Sequence, residues 1–354
     1  MAATLLLLCI TAYCQTYREA TAIAPDLAAT FPATVDLTQL PAPRPYVPAF
    51  PWEPPAPRMH VSSPFAPLFL KGNDIFRGDR EAWVSNAILE LEGSRRIPEV
   101  KDWFVHDYIQ LLGSALGEYS HDSTRHYTFT VLDSFAPNAF DAGNGRIFVS
   151  LGMLQQAKNE DELAGILAHE IGRDNFHHIG RTMTRELFWM NGKRDVKSEA
   201  DTREQIRALF ARYRESPFAE ISERLSGIGR MDESAADKAA FYNVYRAGYN
   251  PLALADLFGR RAQSENRELI EETTALYPVV KLLALVLDSH PPSEFRSLAM
   301  RWESNFVNLS ERGSFRTTDA FRAMQEEVTA IRTAELEAIR RRRAERLHQL
   351  PVPR

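Results

Sequence analysis

His169 and Glu170 sit side by side in Leu163-Ala-Gly-Ile-Leu-Ala-His169-Glu170-Ile-Gly-Arg173. On a helix, residues four apart share one face. Two imidazoles at that spacing can clamp a zinc ion, and a glutamate directly after the first can polarise a metal-bound water. Here the first imidazole and the glutamate are present, and Arg173 stands where the second imidazole would be. A His-Glu pair alone is weak evidence, since a helix carrying a capped histidine and a solvated glutamate reads the same way. A second carboxylate-bearing stretch, Glu233-Ser-Ala-Ala-Asp237, follows about sixty residues later. Its spacing also suits a helix, with Glu233 available as a ligand and Asp237 on the same face to orient one. The third stretch is Ser289-His290-Pro291-Pro292-Ser-Glu-Phe-Arg296, which alone would be an ordinary helix-ending turn.

These residues need elements to position them. Asn159-Glu-Asp161 is a helix N-cap signal ahead of Leu163, Ile166, Leu167 and Ile171, so the first stretch lies on a long helix. Before it, Tyr127-Thr-Phe-Thr-Val-Leu132 alternates as a strand, Asp141-Ala-Gly-Asn-Gly145 is a turn, and Arg146-Ile-Phe-Val-Ser150 is a second strand. Val84, Ile88, Leu89 and Leu91 predict one helix, closed by Gly93, and Val100 to Leu112 predict another. Everything after residue 159 reads helical. Leu276 to Leu287, interrupted by Pro278 and Lys281, reads as a buried helix and not a membrane span. Phe321 to Leu350 predicts an amphipathic helix ending in Arg340 to Arg343. Those arginines suit the helix C-terminal dipole, with a phosphate- or membrane-binding patch as the sharper alternative.

Composition bounds the chemistry. The chain has 354 residues and a net charge of -5, which gives no case for nucleic acid as a partner. Cys9 and Cys14 are its only cysteines, so a metal in the folded part must be held by His, Asp or Glu. Residues 1–14 read as a signal peptide, from the apolar run Leu5 to Tyr13, which implies an exported, periplasmic or envelope-associated protein. The run lacks a basic start, and a frayed cytoplasmic N-terminus is the alternative. Residues 25 to 67 hold twelve of the 21 prolines, so 15–77 is expected to be an extended arm that neither pairs as sheet nor continues as helix. The folded unit is placed at 78–310 and a charged C-terminal helix at 311–354.

Taken together, the motifs resemble one family, peptidase family M48, which includes the HtpX, CAAX prenyl protease and Oma-type gluzincins. The resemblance rests on Asn138-Ala139-Phe140, Gly145-Arg-Ile-Phe-Val-Ser150, Gly152-Met-Leu154, Asn159-Glu-Asp-Glu-Leu163, His169-Glu170-Ile-Gly, Glu233-x-x-Ala236-Asp237 and Ser289-His290-Pro291. It runs from about residue 80 to 310. It implies a mostly helical α+β, zincin-like metallopeptidase domain, with a short antiparallel edge sheet beside the active-site helix. By the same resemblance, His169 and Glu233 would hold Zn2+, with Asp237 behind them. Glu170 would be general base and later proton donor, and His290 and Arg296 would assist or gate the site. Arg146, Ile147, Phe148, Val149 and Ser150 would hold an extended polypeptide substrate by strand addition. Export without the family's membrane spans resembles its periplasmic members, with peripheral membrane contact open and the oligomeric state not indicated.

The departure is Arg173. A catalytic zinc usually has three protein ligands, and the motifs leave His169 and Glu233, with His290 as a possible substitute. A guanidinium about 4 Å from a dication is repelled by roughly 8 kcal/mol at an effective dielectric of 20, and it cannot deprotonate. Its natural partner is the carboxylate of Glu233 or Glu170. His177, eight residues on, lies about 12 Å along a helix axis and cannot take over, and His178 points to the opposite face. Two functions follow: a zinc endopeptidase by family, or a pseudopeptidase that binds extended or unfolded chains without cutting them. A structural envelope protein tethered by its proline-rich arm is the third.

Overall fold

In the computed structural model, the described residues are 74–92, 99–192, 195–215, 233, 235–264, 293–309 and 314–348. The expected signal peptide, nearly all of the proline-rich arm, the Leu276–Leu287 segment and His290 lie outside them. Phe76, two residues before the expected start of the folded unit, is fully buried.

Two helices lead in, α1 (Arg80–Glu92) and α2 (Trp103–Glu118). The second starts where Asp102 accepts a hydrogen bond from the Val105 amide, 2.9 Å away, as a helix cap should. A three-stranded sheet follows, made of β1 (Thr128–Leu132), β2 (Ala139–Asp141) and β3 (Arg146–Ser150), in the order β1-β3-β2. β3 pairs parallel with β1 and antiparallel with β2. The sheet is therefore mixed, where an antiparallel one was expected. The parallel pair arises because the β1-to-β3 connection contains β2, which crosses to the far side of β3. The Phe140 and Phe148 rings stack across β2 and β3 at 4.9 Å. Gly113 of α2 lets that helix lie on β1, since a Cβ there would meet the Phe129 ring at 2.2 Å.

The remaining described elements are helical: α3 (Leu151–Gln156), α4 (Glu160–Asn175), α5 (His178–Asn191), α6 (Glu199–Glu215), α7 (235–246), α8 (Leu252–Ser264), α9 (Ser293–Glu303), a 3-10 turn (Ser304–Phe306) and α10 (Asp319–His348). The mostly helical α+β expectation holds, with one small sheet beside the central helix. That helix is α4, buried along its whole length. Asn159 caps it by accepting from the Glu162 amide at 2.9 Å, and Glu162 reaches back to the Lys158 amide. Its acidic first turn is gripped from later in the chain. Arg260 holds Glu162 with two hydrogen bonds, Tyr249 donates to Glu160, and the Asn250 amide donates to Asp161. Gly172 faces α7, where a Cβ would meet the Ala236 carbonyl at 3.2 Å and the Ala239 methyl at 3.3 Å. A bare glycine there brings the Glu233–Asp237 segment against α4. Among the described residues, no helix is long and apolar enough to cross a membrane.

The C-terminal helix α10 packs its first half through buried Phe321, Met324 and Val328. From Arg332 to Arg342 its residues are exposed apart from Ala338, including Leu336 and Ile339.

Candidate active site

The two motifs converge. The His169 Nε2 lies 3.2 Å from Glu233 Oε2, and its Nδ1 lies 2.9 Å from Asp237 Oδ1. The imidazole is thus fixed at both nitrogens by carboxylates from a segment more than sixty residues away. Asp237 is itself held by Arg296, through Nε at 2.8 Å and Nη2 at 2.6 Å. That guanidinium lies over the Phe258 ring at 3.8 Å and reaches Glu233 Oε2 at 3.8 Å. So α9 supplies the bidentate clamp that sets Asp237, and Asp237 sets the imidazole.

Arg173 points into the same space. Its Nη1 makes a close ion pair with Glu233 Oε1, and its Nε lies 3.6 Å from Glu170 Oε2. The side chain is 4% exposed. Both partners named from sequence are engaged at once. Glu170 also accepts a hydrogen bond from the Asp141 backbone amide at 3.0 Å, which ties α4 to β2. Three carboxylates (Glu170, Glu233, Asp237) therefore meet three basic side chains (His169, Arg173, Arg296), all buried.

The protonation follows from these contacts. Burial and the Arg296 charge pull the His169 pKa down, but Glu233 and Asp237 outweigh them and push it up to about 9. The imidazole is then a cation at neutral pH. Burial works against the Asp237 carboxylate, yet Arg296 and His169 hold it below the usual carboxylate range. On the far side, burial and Arg173 keep His178 neutral, with its pKa well below the ordinary histidine value.

The neighbouring histidines are not part of the set. α4 ends at Asn175, and His177 takes a left-handed backbone conformation at φ 52° as the chain turns into α5. Its Nδ1 faces Glu81 at 3.5 Å. His178 is buried against Phe176. His290, expected near the site, lies outside the described residues.

The strand expected to hold substrate lies in the middle of the sheet. Arg146, Ile147, Phe148, Val149 and Ser150 form the middle strand, with β1 on one edge and β2 on the other. A strand paired on both sides cannot add a third partner. The edge beside α4 belongs to β2, residues Ala139–Asp141, and among the described residues no further strand pairs with it. Three residues are too few to show alternation, so the sequence carries no strand signal for β2.

The sequence profile of peptidase family M48 matches residues 106–303, just over half of the chain. The chain belongs to peptidase family M48. It resembles the beta-barrel assembly-enhancing protease of Escherichia coli K12, at 22% identity over 173 residues, covering 47% of this chain and 34% of that protein. The Vibrio cholerae counterpart is 26% identical over 191 residues, covering 52% of this chain and 38% of its own length. The chain thus spans little more than a third of these M48 relatives. The crystal structure of S. mikatae Ste24p aligns over 66% of this chain and 60% of its own, at 19% identity and a TM-score of 0.28, too loose a superposition to carry an argument.

Proposed function

We propose that this chain is an M48 peptidase domain that binds extended or unfolded polypeptide, and whose metal-dependent hydrolysis is withdrawn by Arg173. The observation that carries the reading is the buried ion pair between Arg173 and Glu233. Family membership implies zinc, and the donor set of this chain does not fit it. His169 and Glu233 converge as two ligands would, but the third position is a permanent cation bonded to one of them. A zinc ion would have to expel that guanidinium from Glu233 and displace the proton of His169. Arg173 and the protonated imidazole already supply the two positive charges that a dication would bring. Among the described residues, no group of three His, Cys, Asp or Glu side chains is arranged to hold a metal.

The polypeptide reading rests on β2. Among the described residues no strand pairs with its outer edge, which runs beside the helix that carries Glu170 and is held to it at the Asp141 amide, and extended chains bind such edges by main-chain hydrogen bonding. The relatives are named as proteases, which fits a polypeptide ligand. Export through the apolar run at residues 5–13 would place the protein in the envelope, where unfolded chains are in transit.

The second reading is the family's own, a zinc endopeptidase with Glu170 as base. It is favoured by His169, Glu170, Glu233, Asp237 and Arg296, which are all present and brought together. Fluorescein-labelled β-casein separates the two. The natural chain is expected to bind it without cleavage, and Arg173→His with added zinc is expected to cleave it. Cleavage by the natural chain that is abolished by Glu170→Gln would reverse the order of the two readings.

A further inference from the structure

The turn between β2 and β3 is built from three consecutive left-handed residues, Gly143, Asn144 and Gly145, at φ 78°, 57° and 72°. Successive residues of this kind point their amides into one concavity, which suits an anion. Three buried carboxylates fill it: Asp141 accepts from the Gly143 amide at 2.6 Å, and the other two come from different helices. Glu81 of α1 accepts from the Asn144 amide at 3.1 Å, and Asp174 of α4 accepts from the Gly145 amide at 2.9 Å. Asp174 is fully buried and Glu81 is 4% exposed, so two like charges are held close in a dry interior. Arg125, placed just before β1, joins them, bonding to Asp174 through Nη2 at 3.1 Å and making a close ion pair with Glu81.

We infer that Arg125, Glu81 and Asp174 are positioning residues for polypeptide binding, acting as a clamp that fixes the β2 edge at a set distance from α4. This rests on the proposed polypeptide reading of the site. β2 has only three residues, the short end of the usual strand range. Its last residue, Asp141, is fastened to α4 by Glu170, and the turn that follows is fastened to α4 by Asp174 at Gly145. The second fastening depends on Arg125. Without that guanidinium the two carboxylates repel, one must take up a proton or move, and one turn amide loses its acceptor. The edge then shifts relative to the helix while the helix itself stays in place.

The test pairs binding with amide hydrogen exchange in the full chain. Arg125→Met is expected to raise the Kd for fluorescein-labelled β-casein about tenfold and to speed exchange in residues 139–146, with 160–171 unchanged. Arg125→Lys, which keeps the charge, recovers most of the affinity. Met324→Ala, a change in the buried face of α10, lowers the melting temperature and leaves the Kd alone. If Arg125→Met does not fold, Glu81→Gln carries the test with a roughly threefold rise in Kd. Unchanged exchange in 139–146 overturns the clamp, as does an unchanged Kd in a variant whose parent binds casein. If the natural chain binds no casein, the polypeptide reading fails on its own, and the exchange measurement still decides whether the clamp exists.

Discussion

Replacing Arg173 with methionine keeps most of the side-chain volume and removes the charge. In the natural chain the guanidinium is 4% exposed and contacts both Glu233 and Glu170. Breaking a buried ion pair by removing one partner costs about 3–5 kcal/mol, because the other charge is left uncompensated. Glu233 would still face His169 at 3.2 Å and Arg296 at 3.8 Å, which places the cost near the lower bound. With an unfolding entropy of about 0.6 kcal/mol/K for a folded unit of roughly 280 residues, 3 kcal/mol lowers the melting temperature by about 5 °C. The loss should also depend on pH. Removing a cation favours proton uptake by the carboxylates beside it, so the penalty is present at neutral pH and fades as protons bind. Thermal unfolding at pH 7.5 and pH 5, with Arg173→Lys as the charge-keeping control, measures both effects. A variant that melts within about 1 °C of the natural chain at pH 7.5 would refute the idea that Arg173 neutralises the site, as would a deficit that does not shrink at pH 5.

Three further outcomes follow from the same geometry. Gly172→Val drives a branched side chain into the Ala236 carbonyl and Ala239 methyl and should cost about 1–3 kcal/mol in thermal stability; loss of casein binding beyond that of an equally destabilised core variant would show that α7 has moved from α4. His169 has a folded pKa of about 9, above the unfolded histidine value of about 6.5, so its contribution is complete below the unfolded value and is lost as pH rises from there through about 9. Unfolding curves across that range should therefore show a falling stability that His169→Gln flattens, and an equal slope in both proteins would contradict the assignment. In Arg173→His, zinc at about 100 times its Kd should stabilise by about 2.7 kcal/mol, while the natural chain's melting curve stays where it is; an equal shift in both would mean the metal binds elsewhere.

The positions of His169, Glu170, Glu233 and Asp237 were legible because helix periodicity and a cap signal at Asn159 place side chains on a known face. The pairing of Arg173 with Glu233 and Glu170 was legible from charge alone, since a guanidinium beside two carboxylates has few other places to go. The sheet was less so. Strand alternation at β1 and β3 says which segments are extended, but not that β3 lies between two partners, because pairing order is a long-range property. The clamp of Glu81, Arg125 and Asp174 left no sequence signal: its members are 44 and 49 residues apart, share no motif, and carry charges that hydropathy assigns to the surface. The glycine-rich turn they hold was visible, and its run of left-handed residues was the one available hint that something had to accept its amides.

In the proposed reading, a guanidinium and a protonated imidazole occupy the charge position of the family's metal. Metal content of the natural chain, purified without chelator beside Arg173→His and measured by elemental mass spectrometry, tests it most directly. Zinc far below stoichiometric in the natural chain and stoichiometric in the variant is the predicted result. Stoichiometric zinc in the natural chain, lost on Glu233→Ala, would contradict it.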